Sequence, residues 1–204
     1  MCRDGKEEGH LDENQAIKLC QEGHQAAFRV VVDQYGDLMY GTALMMTRDR
    51  MLAEDIVQDA LVLAWKSIKK FEAGTNLRAW LMTILINRVK NVMRRKRPAE
   101  ISSDESYEEP YSSYNALDAV ITAEEAVRIR SAVHELAFEP RQAVVLRFYA
   151  EMTVPEIART LGWKEGTVKS RLHRALRQLQ GVLDPPNPDQ SPAPVLLQEE
   201  GMQR

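Results

Sequence analysis

The chain has 204 residues, 27 Lys and Arg against 30 Asp and Glu, and a formal net charge of −3. Its two cysteines, Cys2 and Cys20, form no CxxC pair and have no histidine at metal-ligand spacing, which excludes a disulfide framework and a zinc site and leaves no metal or cofactor expected. No apolar run reaches the ~18 residues of a membrane span and the acidic start is unlike a signal peptide, so a soluble, cytoplasmic protein with no membrane span of its own is expected.

The total charge hides an uneven distribution. Residues 25–97 carry 13 basic side chains against 7 acidic, residues 98–126 carry 8 acidic and no basic, and residues 127–180 carry 10 basic against 5 acidic. Two cationic blocks around an acidic spacer form the footprint of a chain that meets nucleic acid at two places.

In chain order, residues 1–11 show no periodic pattern, Asp12 with Gln15 can cap a short helix through Glu22, and Gly23 ends it. Residues 25–47 and 51–70 read as two long helices, rich in Ala, Leu, Met and Val and free of proline. A loop at 71–76 containing Gly74 leads into a third, 77–97, which Pro98 stops. Residues 98–116 are acidic, Ser-rich and nearly without aliphatics, too polar to offset the entropy of ordering, and are expected to be flexible. Helices follow at about 120–137, 140–150, 153–161 and 165–180, before a Pro-rich end expected to be disordered. The expected fold is all-α: two small helical domains joined by a flexible acidic linker. The divisions are an extension at 1–24, a first domain at 25–97, a linker at 98–123, a second domain at 124–183 and a tail at 184–204.

Residues 153–179 carry the most specific pattern. Thr153 and Glu156 form a capping box, Pro155 sits in the first turn, and Leu161-Gly162 closes the helix. In the next helix Val168, Leu172, Ala175, Leu176 and Leu179 share a stripe about 100° wide. Ser170, Arg174 and Arg177 point away from it with Thr167 and His173 beside them, and Lys169 and Arg171 flank it. This is a helix-turn-helix whose free face offers Arg and Ser donors to base edges and cations to phosphates. An ordinary amphipathic surface helix is the alternative.

The helix at 77–97 has a broad apolar arc and a narrower sector, about 80° wide, holding Thr83, Asn87, Lys90, Arg94 and Arg97. Such a stripe can follow a phosphate backbone while Asn87 meets a base. The cations at its end can equally serve the helix dipole. Trp80, beside the loop of Phe71, Gly74, Thr75 and Asn76, either receives an extruded base or, with Phe71, seals the core. At 54–65, Ile56 and Leu63 face inward, while Glu54, Asp55, Gln58 and Asp59 make an acidic-polar face that is either solvated or docks on a basic protein surface.

Four stretches, AEDIVQDALVLAW, NLRAWLMTILINRVKNVMRR, PRQAVVLRFYAEMTVPEIARTLG and EGTVKSRLHRALRQL, together resemble the extracytoplasmic-function (ECF) class of bacterial sigma factors. The resemblance implies a promoter-recognition subunit of RNA polymerase and no catalytic residues. It implies that Asp55, Gln58 and Asp59 dock on the coiled coil of the polymerase's largest subunit. Phe71, Gly74, Thr75, Asn76 and Trp80 would form a pocket for a flipped base of the −10 element, with Asn87, Lys90 and Arg94 holding the opened strand. Thr167, Lys169, Ser170, Arg171, Arg174 and Arg177 would read the −35 element while the rest of that domain sits on the polymerase flap. A separate anti-sigma factor would regulate it. Residue physics alone leaves two rivals: a stand-alone regulator that binds DNA without polymerase, and an antagonist that binds only protein.

Overall fold

A computed structural model of the chain describes residues 12–72, 74–96 and 123–183. These residues form helices and no strand. They are α1 (Glu13–Glu22), α2 (Phe28–Thr47), α3 (Arg50–Ser67), α4 (Leu77–Lys96), α5 (Ala123–Glu135), α6 (Phe138–Val144), α7 (Val154–Leu161) and α8 (Glu165–Leu183). The expected linker, apart from Ala123, and the expected Pro-rich tail lie outside the described residues, as does Arg97.

Local chemistry sets most helix ends. Gly23 adopts φ 101°, and the amides of Gly23 and His24 close α1 onto the carbonyls of Cys20 and Leu19. Asp12 occupies the capping position of α1, but its side chain accepts no capping hydrogen bond, contrary to the expected pairing with Gln15. Residues 25–27 form one 3-10 turn before α2. Asp49 caps α3 by accepting from the Leu52 amide at 2.9 Å.

In the first bundle α2, α3 and α4 pack around Met39, Met46, Ile56, Leu81, Leu85 and Ile86, all essentially inaccessible. Ala53, Ala60 and Ala64 line the inner face of α3 and let the neighbouring helices approach closely. Helix α1 belongs to this bundle: Ala16, Ile17 and Cys20 are buried, and Tyr35 on α2 donates to Glu13 at 2.5 Å.

The second bundle contains α5 to α8. The single helix expected at 140–150 is instead α6 followed by a π-helical turn at 145–149, where the Ala150 amide reaches back five residues to the Val145 carbonyl at 3.0 Å. Sequence periodicity, computed at one fixed pitch, cannot show such a slip. Two residues expected to be buried are not: Leu63 is 40% exposed and Leu176 is 43% exposed. Both lie at the border of their apolar arcs, where packing of the neighbour decides the outcome.

The two bundles touch. α7 lies against α4, and α5, α6 and the π turn lie against α2. Buried side chains of both modules form one continuous apolar cluster. Thr83 and Lys90, from the polar sector of α4, meet Thr160 and the Leu161 carbonyl across this seam.

Candidate nucleic-acid interface

The helix-turn-helix is built as its sequence specifies. Glu156 donates its amide to the Thr153 hydroxyl, and its carboxylate accepts from the Thr153 amide at 2.8 Å, completing the capping box. Burial raises the Glu156 pKa, but the Thr153 hydrogen bonds, Asn76 and Arg159 outweigh it and hold the carboxyl below its ordinary range. Gly162 takes φ 71°, and the Trp163 amide bonds the Ala158 carbonyl at 2.9 Å, so the turn closes on glycine. On α8, Val168, Leu172, Ala175 and Leu179 are buried.

That packing leaves Lys169, Ser170, His173, Arg174 and Arg177 exposed and Thr167 half-buried. Ser170 Oγ donates to the Thr167 carbonyl at 3.0 Å, and Arg174 Nε donates to the Ser170 carbonyl at 3.4 Å, leaving its outer fork open to solvent. Arg171 behaves differently. It lies 3.9 Å from the centroid of the Trp163 ring and pairs with Glu139 at 2.7 Å, so it braces the turn against α6. Trp163, not singled out from the sequence, is what holds it there.

The 71–76 loop is anchored from below. Gln21 on α1 donates Nε2 to the Phe71 carbonyl at 2.7 Å and to the Ile68 carbonyl at 3.2 Å. Phe71 is buried and its ring packs on Trp80 at 5.2 Å, so this pair seals the bundle. Gly74, Thr75 and Asn76 are exposed; Gly74 takes φ 91°, and Asn76 Oδ1 accepts from the Ala79 amide at the start of α4. Nothing in the sequence links Gln21 to this loop, because 47 to 50 residues separate the partners.

Along α4, Asn87 and Arg94 are exposed, whereas Lys90 is half-buried and donates Nζ to the Leu161 carbonyl at 3.1 Å. Burial lowers the Lys90 pKa from its ordinary value. The expected phosphate-tracking stripe is thus interrupted at Thr83 and Lys90 by the second module.

On α3, Asp55, Gln58 and Asp59 are exposed, and Asp59 pairs with Arg88 of α4. Met51, 79% exposed, and Val62, 51% exposed, fall on one helical line with Asp55 and Gln58 at positions i, i+4, i+7 and i+11. This mixed apolar and acidic strip was missed because exposed apolar residues look like core positions in a periodicity argument.

Arg141 ties the second module to the first, donating to the His134 and Leu136 carbonyls at 2.8 and 2.9 Å and to the Met46 carbonyl at 3.3 Å. Burial, then the neighbouring Arg48, Arg141 and Arg130, hold the His134 pKa down to about 4. The folded state therefore keeps this ring neutral, while the unfolded ring takes up a proton near its ordinary value. Below about pH 6.5 the unfolded state binds more protons, so stability should fall as the pH drops from there toward 4. Melting temperature should drop between pH 7.5 and pH 5, and His134→Gln should flatten that dependence. An unchanged pH slope in the variant would place its origin elsewhere.

Residues 31–99 match Sigma-70 region 2 and residues 126–179 match Sigma-70, region 4. The ECF RNA polymerase sigma factor SigW of Bacillus subtilis is 32% identical over 177 residues, covering 82% of this chain and 94% of the relative. SigL of Mycobacterium tuberculosis, also an ECF sigma factor, is 32% identical over 161 residues, covering 78% of this chain and 89% of the relative. Among solved structures, CnrH in complex with the cytosolic domain of CnrY superposes with a TM-score of 0.63 at 25% identity, covering 85% of this chain and 98% of that one. The sigma factor RpoE bound to the anti-sigma factor NepR from Bartonella quintana gives 0.64 at 30% identity, covering 78% and 98%. Two sigma modules in order, the exposed cationic face of α8 and relatives matched over most of their length lead to one conclusion: the chain belongs to the ECF RNA polymerase sigma factors, which are transcription initiation factors and not enzymes.

Proposed function

We propose that the chain directs polymerase to promoters through two separate grips. Residues 25–97, braced by α1, serve as the −10 and polymerase-binding module, residues 124–183 as the −35 module, and residues 98–123 as the tether between them. The observation that carries this assignment is the free face of α8: Lys169, Ser170, Arg174 and Arg177 are exposed on a helix whose opposite side is buried, the arrangement a major-groove reader requires. Neither module needs high affinity alone, because mounting both on one polymerase raises the effective concentration of each at the duplex. Gly74, Thr75 and Asn76 meet the unstacked −10 base, Asn87, Lys90 and Arg94 hold the opened strand, and Phe71 and Trp80 fix the loop that presents the pocket. The strip of Met51, Asp55, Gln58 and Val62 docks on the coiled coil of the polymerase's largest subunit, and the second module rests on its flap. No helix among the described residues is long and apolar enough to cross a membrane, in keeping with action in the cytoplasm. An anti-sigma factor holds the protein in reserve, as the complexes of RpoE with NepR and CnrH with CnrY suggest.

Run-off transcription with core polymerase on a promoter library tests the whole assignment, since it reads both elements and their spacing together. Failure to direct any start site would refute it. Exchanging residues 71–76 for those of another member should change the preferred −10 bases and leave the −35 preference alone; an unaltered −10 profile would remove the loop from base selection.

A further inference from the structure

We infer that Gln21, on a helix that precedes the region 2 match at 31–99, is a positioning residue for −10 base selection, because it fixes where the 71–76 loop leaves the bundle. This rests on the −10 assignment proposed above.

Helix α3 runs into a 3-10 turn, Ile68–Lys70, and the chain leaves that turn at Phe71 in extended conformation, φ −74° and ψ 125°. Where a helix stops, its last carbonyls lose their helical partners. The Phe71 amide returns to the Ile68 carbonyl at 3.0 Å. Gln21 Nε2 then spans the turn, donating to the Ile68 carbonyl at 3.2 Å and to the Phe71 carbonyl at 2.7 Å. One side chain therefore joins the end of the helical path to the first carbonyl of the loop. An amide suits this place, since a carboxylate of the same length would bring no donor.

Beyond Phe71 the loop is bonded to itself. Thr75 donates its amide and its hydroxyl to the Glu72 carbonyl at 3.1 and 2.8 Å. At the far end Asn76 Oδ1 accepts from the Ala79 amide at 3.2 Å, which ties the loop to the first turn of α4. A turn closed in this way tilts as one piece, so its two ends set its direction. Asn76 holds one end through α4; Gln21 and the packing of Phe71 on Trp80 hold the other.

Gln21 can act as a fixed point because α1 is itself held. Ala16, Ile17 and Cys20 are buried where α1 packs on α2 and on the 3-10 turn, and Gly23 ends the helix with φ 101°. Tyr35 donates to Glu13 at the other end of α1. A pocket discriminates between bases only as well as its walls keep their spacing, and a remote change that misplaces a group by about 1 Å can cost ~100-fold.

The test uses the full-length chain with core polymerase. Gln21→Met keeps the length of the side chain and removes its donors, whereas Gln21→Lys restores a donor of similar reach. On a promoter library, the preference for the best −10 bases should fall about threefold to tenfold in Gln21→Met and return in Gln21→Lys. The −35 preference and core affinity should be unchanged in both. Amide exchange at residues 71–76 of the free chain should quicken in Gln21→Met and slow again in Gln21→Lys. Ile17→Val controls for a loosened α1, since it trims a buried methyl group and leaves the amide in place. It should keep the wild-type −10 preference even where it melts lower. An intact −10 preference in Gln21→Met overturns the inference, as does a loss that Ile17→Val reproduces or Gln21→Lys fails to mend. Exchange of residues 71–76 separates this role from the reading beneath it. A −10 profile that responds to the exchange but not to Gln21→Met rejects the positioning role alone; a profile that responds to neither rejects both.

Discussion

Replacing Lys169 and Arg174 together by glutamate should reduce run-off transcription from a −35-dependent promoter by about 100-fold or more, because a bidentate base contact and a phosphate contact are lost and like charges are set against the backbone. Both side chains are exposed, and exposed substitutions change folding stability by only about 0.5 kcal/mol, so the melting temperature should barely move. Core polymerase binding through α3 should survive. A double variant that initiates as well as the wild type would move recognition off α8. Gel-shift measurements separate the stand-alone regulator from the sigma factor: the first predicts tight specific binding by the isolated chain, the second only with polymerase present.

A second large effect is expected on α3 of the first bundle. Met51→Glu with Val62→Glu places a charge at each end of the α3 strip, where a partner would have to desolvate them without counter-charges. Core affinity should fall by at least about tenfold, and transcription from every promoter should fall with it whatever its −10 or −35 sequence. Helical content and melting should stay close to wild type, since neither side chain is buried. If titration against core polymerase gave an unchanged dissociation constant, α3 would not be the docking surface. Promoter-independent loss here and promoter-dependent loss in the α8 variant are different signatures, and together they separate polymerase binding from DNA reading.

How far the sequence reaches can be judged element by element. Thr153, Glu156 and Gly162 dictate the boundaries of α7 because their interactions span three or four residues. The same holds for Gly23, whose left-handed backbone ends α1. The outward set on α8 is likewise legible, since a helix with one buried stripe must expose the rest. Arg171 was not legible. At the edge of the stripe, it turns inward because Trp163 and Glu139 happen to meet it. Trp80 and Phe71 fall between these cases: both candidate roles suit an aromatic pair beside a loop, and burial of Phe71 favours the sealing role for that ring.

Length, charge blocks, caps and periodicity by themselves determined an all-helical chain with two cationic segments, a helix-turn-helix near the C-terminal end and an acidic strip on α3, since all of these depend on neighbours a few residues apart. Only the tertiary structure decided that α1 props the 71–76 loop through Gln21, that Met51 and Val62 join Asp55 on an open face, and that Thr83 and Lys90 look onto α7. The first and third of these relations connect residues 47 to 77 positions apart. Which of many polar partners a side chain meets at such separations depends on how whole helices pack, and local periodicity carries no information about that.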